Sequence, residues 1–163
     1  MRSLGPMRTL LLCLVTATGC MMPPTGAALI QQTAQEFNFD TRFGRMEMAV
    51  EQVSPKYLER FQKRHRYWGG VIHITDAEMM GMKMKGEEDC DVDVRVGWYR
   101  AAEGDLRVTV VRQRWHRFMS GWLLDGEERA DGDVGALGEA VDVVAPDAPT
   151  KSAQFPTVQL GSD

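Results

Sequence analysis

The chain has 163 residues, which favours one domain with a single core. With 44% hydrophobic and 26% charged residues, its composition excludes a chain disordered throughout. The formal net charge of −4 excludes the counterion release that drives nucleic-acid binding, so nucleic acid is not an expected partner.

The N-terminus reads as an export leader over residues 1–19. Arg2 and Arg8 supply positive charge, Leu10-Leu11-Leu12-Cys13-Leu14-Val15 opens an apolar stretch, and Thr16-Ala17-Thr18-Gly19 brings small residues up to Cys20. The apolar run is about half the ~20 residues that span a bilayer as a helix, so a permanent span is not expected. Met7 offers an alternative start that leaves the signal intact. Ala17-Thr18-Gly19-Cys20 resembles the lipobox of bacterial lipoproteins, with alanine where leucine is commonest. The resemblance implies a diacylglyceryl group on the Cys20 thiol, fatty acyl chains such as palmitate, and a place in the bacterial cell envelope. There the lipid holds the chain to a membrane, on the periplasmic side of the outer membrane. Each buried methylene contributes about 0.8 kcal/mol, so two or more chains anchor a protein durably. Without the leader's two arginines the 19 basic side chains fall to 17 against 23 acidic ones, a net of −6. That balance argues against an electrostatic grip on anionic headgroups.

Residues 20–26, with Pro23, Pro24 and Gly26, read as a tether, and residues 27–137 as the globular domain. Ala27 to Phe37 carries apolar residues at helical spacing. Arg45 to Val50 is ambiguous between strand and helix. Ser54-Pro55 signals a helix start, with serine as cap and proline in the first turn, running to about Arg66 and ended by Gly69-Gly70. The period then turns to two. Ile72, Ile74, Met80, Met82 and Met84 share one register of a first strand, and Val92, Val94, Val96 and Trp98 that of a second. Leu106, Val108 and Val110 share that of a third, and Trp122-Leu123-Leu124 forms a short fourth. Short glycine-containing connections make neighbours antiparallel. Residues 138–163, with Pro146, Pro149 and Pro156, read as a disordered tail. The expected architecture is α+β, with N-terminal helices on a curved antiparallel sheet of about four strands.

Helices followed by a meander ending in Arg112-Gln113-Arg114-Trp115-His116-Arg117-Phe118-Met119-Ser120-Gly121-Trp122-Leu123-Leu124 resemble the nuclear transport factor 2-like superfamily, which includes ketosteroid-isomerase-like proteins. The resemblance implies a cone-like domain with helices in the hollow of a bent sheet. Trp98 and Trp115 are then the aromatic residues expected to line its pocket. Isomerase members use an aspartate base and a tyrosine donor. Asp76, Asp91, Asp93 and Tyr99 are available, but no local motif selects among them.

Other chemistry is sparse. His65, His73 and His116 form no zinc pattern, no calcium loop is complete, and no phosphate or dinucleotide fingerprint occurs. No metal site and no cofactor are expected, and the catalytic residues are unknown. Cys90 is alone once Cys13 leaves with the leader and Cys20 is capped; its acidic neighbours blunt its reactivity. Met79-Met80-Gly81-Met82-Lys83-Met84 and Met46-Glu47-Met48 have Met-x-Met spacing that would place soft thioethers on one strand face, a pattern that could hold Cu(I). Arg107, Arg112, Arg114 and Arg117 read as a stripe paired across strands with Asp91, Asp93 and Glu103. The favoured role is a non-enzymatic, lipid-anchored envelope module that binds a small apolar ligand or an envelope protein. The alternatives are an isomerase-like enzyme and Met-based periplasmic copper binding.

Overall fold

The computed structural model describes residues 25–140. The leader, Cys20, most of the tether and residues 141–163 lie outside the described residues. Three helices, α1 (Gly26–Arg42), α2 (Met46–Glu51) and α3 (Leu58–His65), precede four strands. These are β1 (Ile72–Lys85), β2 (Asp89–Arg100), β3 (Arg107–Phe118) and β4 (Gly121–Gly132). The sheet is an antiparallel meander in the order β1-β2-β3-β4, so the α+β expectation holds.

Helix α1 begins earlier than the sequence suggests, because the Thr25 hydroxyl accepts from the Ala28 amide at 3.2 Å and caps it. Ile30, Ala34, Phe37 and Thr41 recur at helical spacing and are buried against the sheet. The ambiguous segment is helical over Met46–Glu51. Ser54 does not cap α3. Its hydroxyl donates to Asp125 Oδ1 at 2.7 Å. Beside it, Ser54 N donates to Leu124 O (2.9 Å) and Leu124 N to Gln52 O (2.8 Å), so residues 52–54 lie along β4 as a short parallel bridge. The helix therefore starts at Leu58 rather than Pro55. Gly69, at φ 76°, ends the turn that leads into β1.

Register departs from the sequence expectation in three strands. In β1, irregularities between Ile74 and Asp76 and between Met79 and Gly81 each shift the phase. Ile74, Ala77, Met79 and Met84 consequently pack on the core, while Met80 is 59% exposed. In β3 the buried register is Thr109, Val111, Gln113 and Trp115, the opposite of the expected Leu106, Val108 and Val110. Leu106 precedes the strand and is exposed. The core selects the register in which Trp115 meets Phe37 edge-on, at 5.4 Å between centroids. Strand β4 is far longer than three residues, and its first bulge has consequences for the site.

The core fills the space between helices and sheet. Trp98 is fully buried, and its Nε1 donates to Thr109 Oγ1 at 2.9 Å. Phe37 bridges Phe61 and Trp115. Between α1 and β3 lies a reciprocal buried amide pair. Gln113 Nε2 donates to Asn38 Oδ1 at 2.9 Å, and Asn38 Nδ2 donates to Gln113 Oε1 at 3.3 Å and to Ala34 O at 2.7 Å. The outer face of the sheet carries ion pairs, including a bidentate Arg112–Asp93 contact at 2.8 and 3.1 Å. Arg107 pairs with Glu103 and Lys85 with Asp91.

Candidate functional site

Strand β4 runs on past the short fourth strand expected at Trp122-Leu123-Leu124. β3 and β4 stay paired, with Trp115 opposite Leu124 and Arg114 opposite Gly126, which leaves Asp125 as an extra residue. That bulge inverts the alternation. Glu127 now stands opposite Gln113, on the core side, and is 4% exposed. A carboxylate taken out of water needs partners. The Tyr57 hydroxyl donates to Glu127 Oε2 at 3.2 Å, and His65 Nε2 lies 3.5 Å from the same oxygen. The Arg64 guanidinium donates to the Glu127 backbone carbonyl.

The histidine is oriented by its own helix. Its Nδ1 lies 3.0 Å from Phe61 O, which can only accept, so Nδ1 carries a hydrogen. Nε2 then faces the carboxylate within ion-pair distance but off hydrogen-bond geometry, and no other group among the described residues satisfies it. Burial, reinforced by the Glu127 charge, holds the Tyr57 hydroxyl well above its ordinary range, so tyrosine serves as a donor. The cluster ties residues 57–65 to β4.

Beside this cluster, α2 and α3 enclose a mostly apolar groove of about 540 Å³. Met46, Val50, Phe61, His65 and Trp68 form its lining, and Glu47, Gln62 and Arg66 complete it. Trp68 is fixed because its Nε1 donates to Ala136 O at 2.7 Å. The His65 ring sits between Phe61, tilted against it, and Trp68, which it meets edge-on, with centroids at 4.2 and 4.4 Å. The volume lies in the range of small-molecule clefts.

The residues singled out from the sequence are placed differently. Trp98 is sealed in the core rather than lining a pocket. Trp115 is 1% exposed and its indole N–H has no partner among the described residues. It reaches only the wall of a charged depression with Lys56, Lys85, Arg114 and Asp125. Asp91 and Asp93 pair with Lys85 and Arg112, and Asp76 with Arg42. Tyr99 stacks on His73 at 5.0 Å. Cys90 is buried, and burial first, then Asp91, pushes its thiol up. The thioethers do not share the faces expected of them. Met46–Glu51 is helical, so Met46 packs on the core while Met48 is 49% exposed. Glu127, Tyr57 and His65 were missed. The local sequence around the carboxylate, Asp125-Gly126-Glu127-Glu128, has the composition of a solvated turn and does not single out Glu127.

The domain is an α+β fold whose helices cover one face of a four-stranded meander. No family model matches the chain, and no curated protein is similar to it. A solved structure described as a SEC-C motif containing protein from Rhodopseudomonas palustris resembles it at a TM-score of 0.49 and 17% identity, covering 66% of this chain and 83% of that one. That description names a SEC-C motif and not the nuclear transport factor 2-like superfamily, and no family model supports the resemblance expected from the sequence. The family identification drawn from the sequence is corrected on that finding. At so distant a likeness no property of the neighbour is carried over. The Cys20 signal lies outside the described residues. Among those described, no helix is long and apolar enough to cross a membrane, and no group of three or more His, Cys, Asp and Glu side chains could hold a metal.

Proposed function

We propose that this domain is a non-enzymatic binding module that takes a small apolar ligand in the groove between α2 and α3. One observation carries the reading: the buried carboxylate and its hydroxyl donor are closed off. The Glu127 and Tyr57 residues are 4% and 5% exposed, so no substrate reaches them, whereas the neighbouring groove is open and apolar. A cone-like hollow would have Trp98 and Trp115 as its lining. Both rings are packed into the core, so binding is assigned to the helices' outer side.

The test uses the neutral fluorophore N-phenyl-1-naphthylamine with the full chain. Saturable binding is expected, weakened severalfold by Val50→Thr, which keeps the shape but puts a hydroxyl on the groove wall. Absence of saturable binding, or binding indifferent to Val50→Thr, would overturn the assignment.

The second part of the proposal concerns location. An envelope position with lipid on Cys20 is supported by Arg2, Arg8, the apolar run and the small residues before the cysteine. Radioactive fatty acid should label the wild type and not Cys20→Ala. Equal labelling of both would discard the anchor.

A further inference from the structure

A second groove, of about 550 Å³, runs along the opposite side of α3. It is lined by Lys56, Arg60, Lys63 and Arg64, with Glu59 and Glu139 as its acids. Lys56 is held by Asp125 at 2.6 Å, and Arg64 by the Glu127 carbonyl. Glu139 is occupied too: its Oε2 accepts from the Gly135 and Leu137 amides at 3.1 and 3.0 Å, and its Oε1 faces Arg129 at 3.6 Å. Arg60 and Lys63 are exposed and have no carboxylate partner among the described residues. Among the described residues the groove therefore presents two cations without a carboxylate partner, Arg60 and Lys63, against one acid of its wall that no ion pair engages, Glu59, which leaves a net positive surface within an acidic chain.

The chain itself is led into this groove. Ala136 and Leu137 are buried, Ala136 O accepts from Trp68, and Gly138 crosses so close to α3 that a Cβ there would stand 3.1 Å from Arg64 O. Leu137, Gly138 and Glu139 form one wall of the groove. The residues that follow Ala140 are Val141-Asp142-Val143-Val144-Ala145-Pro146-Asp147. An extended chain advances at most ~3.3–3.6 Å per residue, so Asp142 stays within about 11 Å of Glu139. We propose that the cationic groove of α3 is the docking site of the chain's own acidic segment 141–147, with Asp142 the carboxylate that meets Arg60 and Lys63. Covalent attachment presents that carboxylate at high effective concentration, so weak ion pairs suffice. Another acidic peptide would have to displace the segment.

The test compares amide NMR spectra of the full chain with those of a variant ending at Ala140. Shifts confined to residues 59–64 and 137–140 are expected, together with reduced mobility of 141–147. Asp142→Asn with Asp147→Asn should reproduce the truncated spectrum in the groove. So should Arg60→Glu with Lys63→Glu. A synthetic peptide of residues 141–163 added to the truncated chain should restore the shifts, and its affinity should fall roughly threefold or more between 0.05 and 0.5 M salt as screening shortens. Identical groove spectra for full and truncated chains would overturn the proposal. So would docking that survives both charge changes. The α2–α3 groove is read separately by the fluorophore, so either assignment can fail alone.

Discussion

Replacing Glu127 with alanine should be among the most damaging single changes in the domain. The carboxylate is buried and holds the Tyr57 hydroxyl at 3.2 Å, with His65 Nε2 at 3.5 Å. Truncation would orphan a buried hydroxyl at a cost of about 1–3 kcal/mol. It would also strip the imidazole of its facing charge and open a void. With the cavity left by the side chain, the total cost is about 3–5 kcal/mol. A domain of this size has roughly 5–15 kcal/mol of stability, and each kcal/mol moves its midpoint about 4 °C, so the variant should melt some 10–20 °C lower. Glu127→Gln keeps the shape and an acceptor for Tyr57, and should lose less than half as much. Urea unfolding of the full chain, followed by tryptophan fluorescence, reads both differences at constant slope. An alanine variant within about 1 kcal/mol of the parent, or glutamine as costly as alanine, would refute the account of the cluster.

Tyr57 adds a pH dependence. Its folded hydroxyl titrates above the ordinary value near 10, so the unfolded chain releases that proton first. The stability it contributes is intact below about pH 10 and declines above it, by up to ~1.4 kcal/mol per pH unit; Tyr57→Phe should flatten that decline in urea titrations between pH 10 and 11. A Cβ on Gly132, at φ 82°, would fall 2.3 Å from Val108 O, whereas at Gly126 it would meet only the mobile Arg114 side chain at 2.6 Å. Gly132→Ala should therefore cost at least ~1–3 kcal/mol and Gly126→Ala much less, measured by thermal denaturation; equal costs would contradict the packing. Cys90 is buried and its thiol is pushed up, so a disulfide reagent at pH 8 should label it only as fast as the domain opens, with immediate stoichiometric reaction speaking against a sealed thiol. At the amide pair, Asn38→Leu and Gln113→Leu should each cost about 1–3 kcal/mol, and the double variant less than their sum in a double-mutant cycle.

Much of the architecture was written locally. The alternation of Val92, Val94, Val96 and Trp98, the glycine turns, and the helical spacing from Ile30 to Phe37 needed only the periods of strand and helix, so fold class and strand order could be read along the chain. Face and register were another matter. Leu106, Val108 and Val110 alternate as convincingly as Thr109, Val111, Gln113 and Trp115, and only the fit of Trp115 against Phe37 decides between them. The site was out of reach for the same reason. A polar run such as Asp125 to Asp131 looks solvated on its own terms. It becomes strand because β3 offers it a ladder, and a single extra residue at Asp125 then turns Glu127 inward to partners some 60–70 positions away. Periodicity is a property of neighbours in sequence, while a bulge and a buried carboxylate depend on what stands across the sheet.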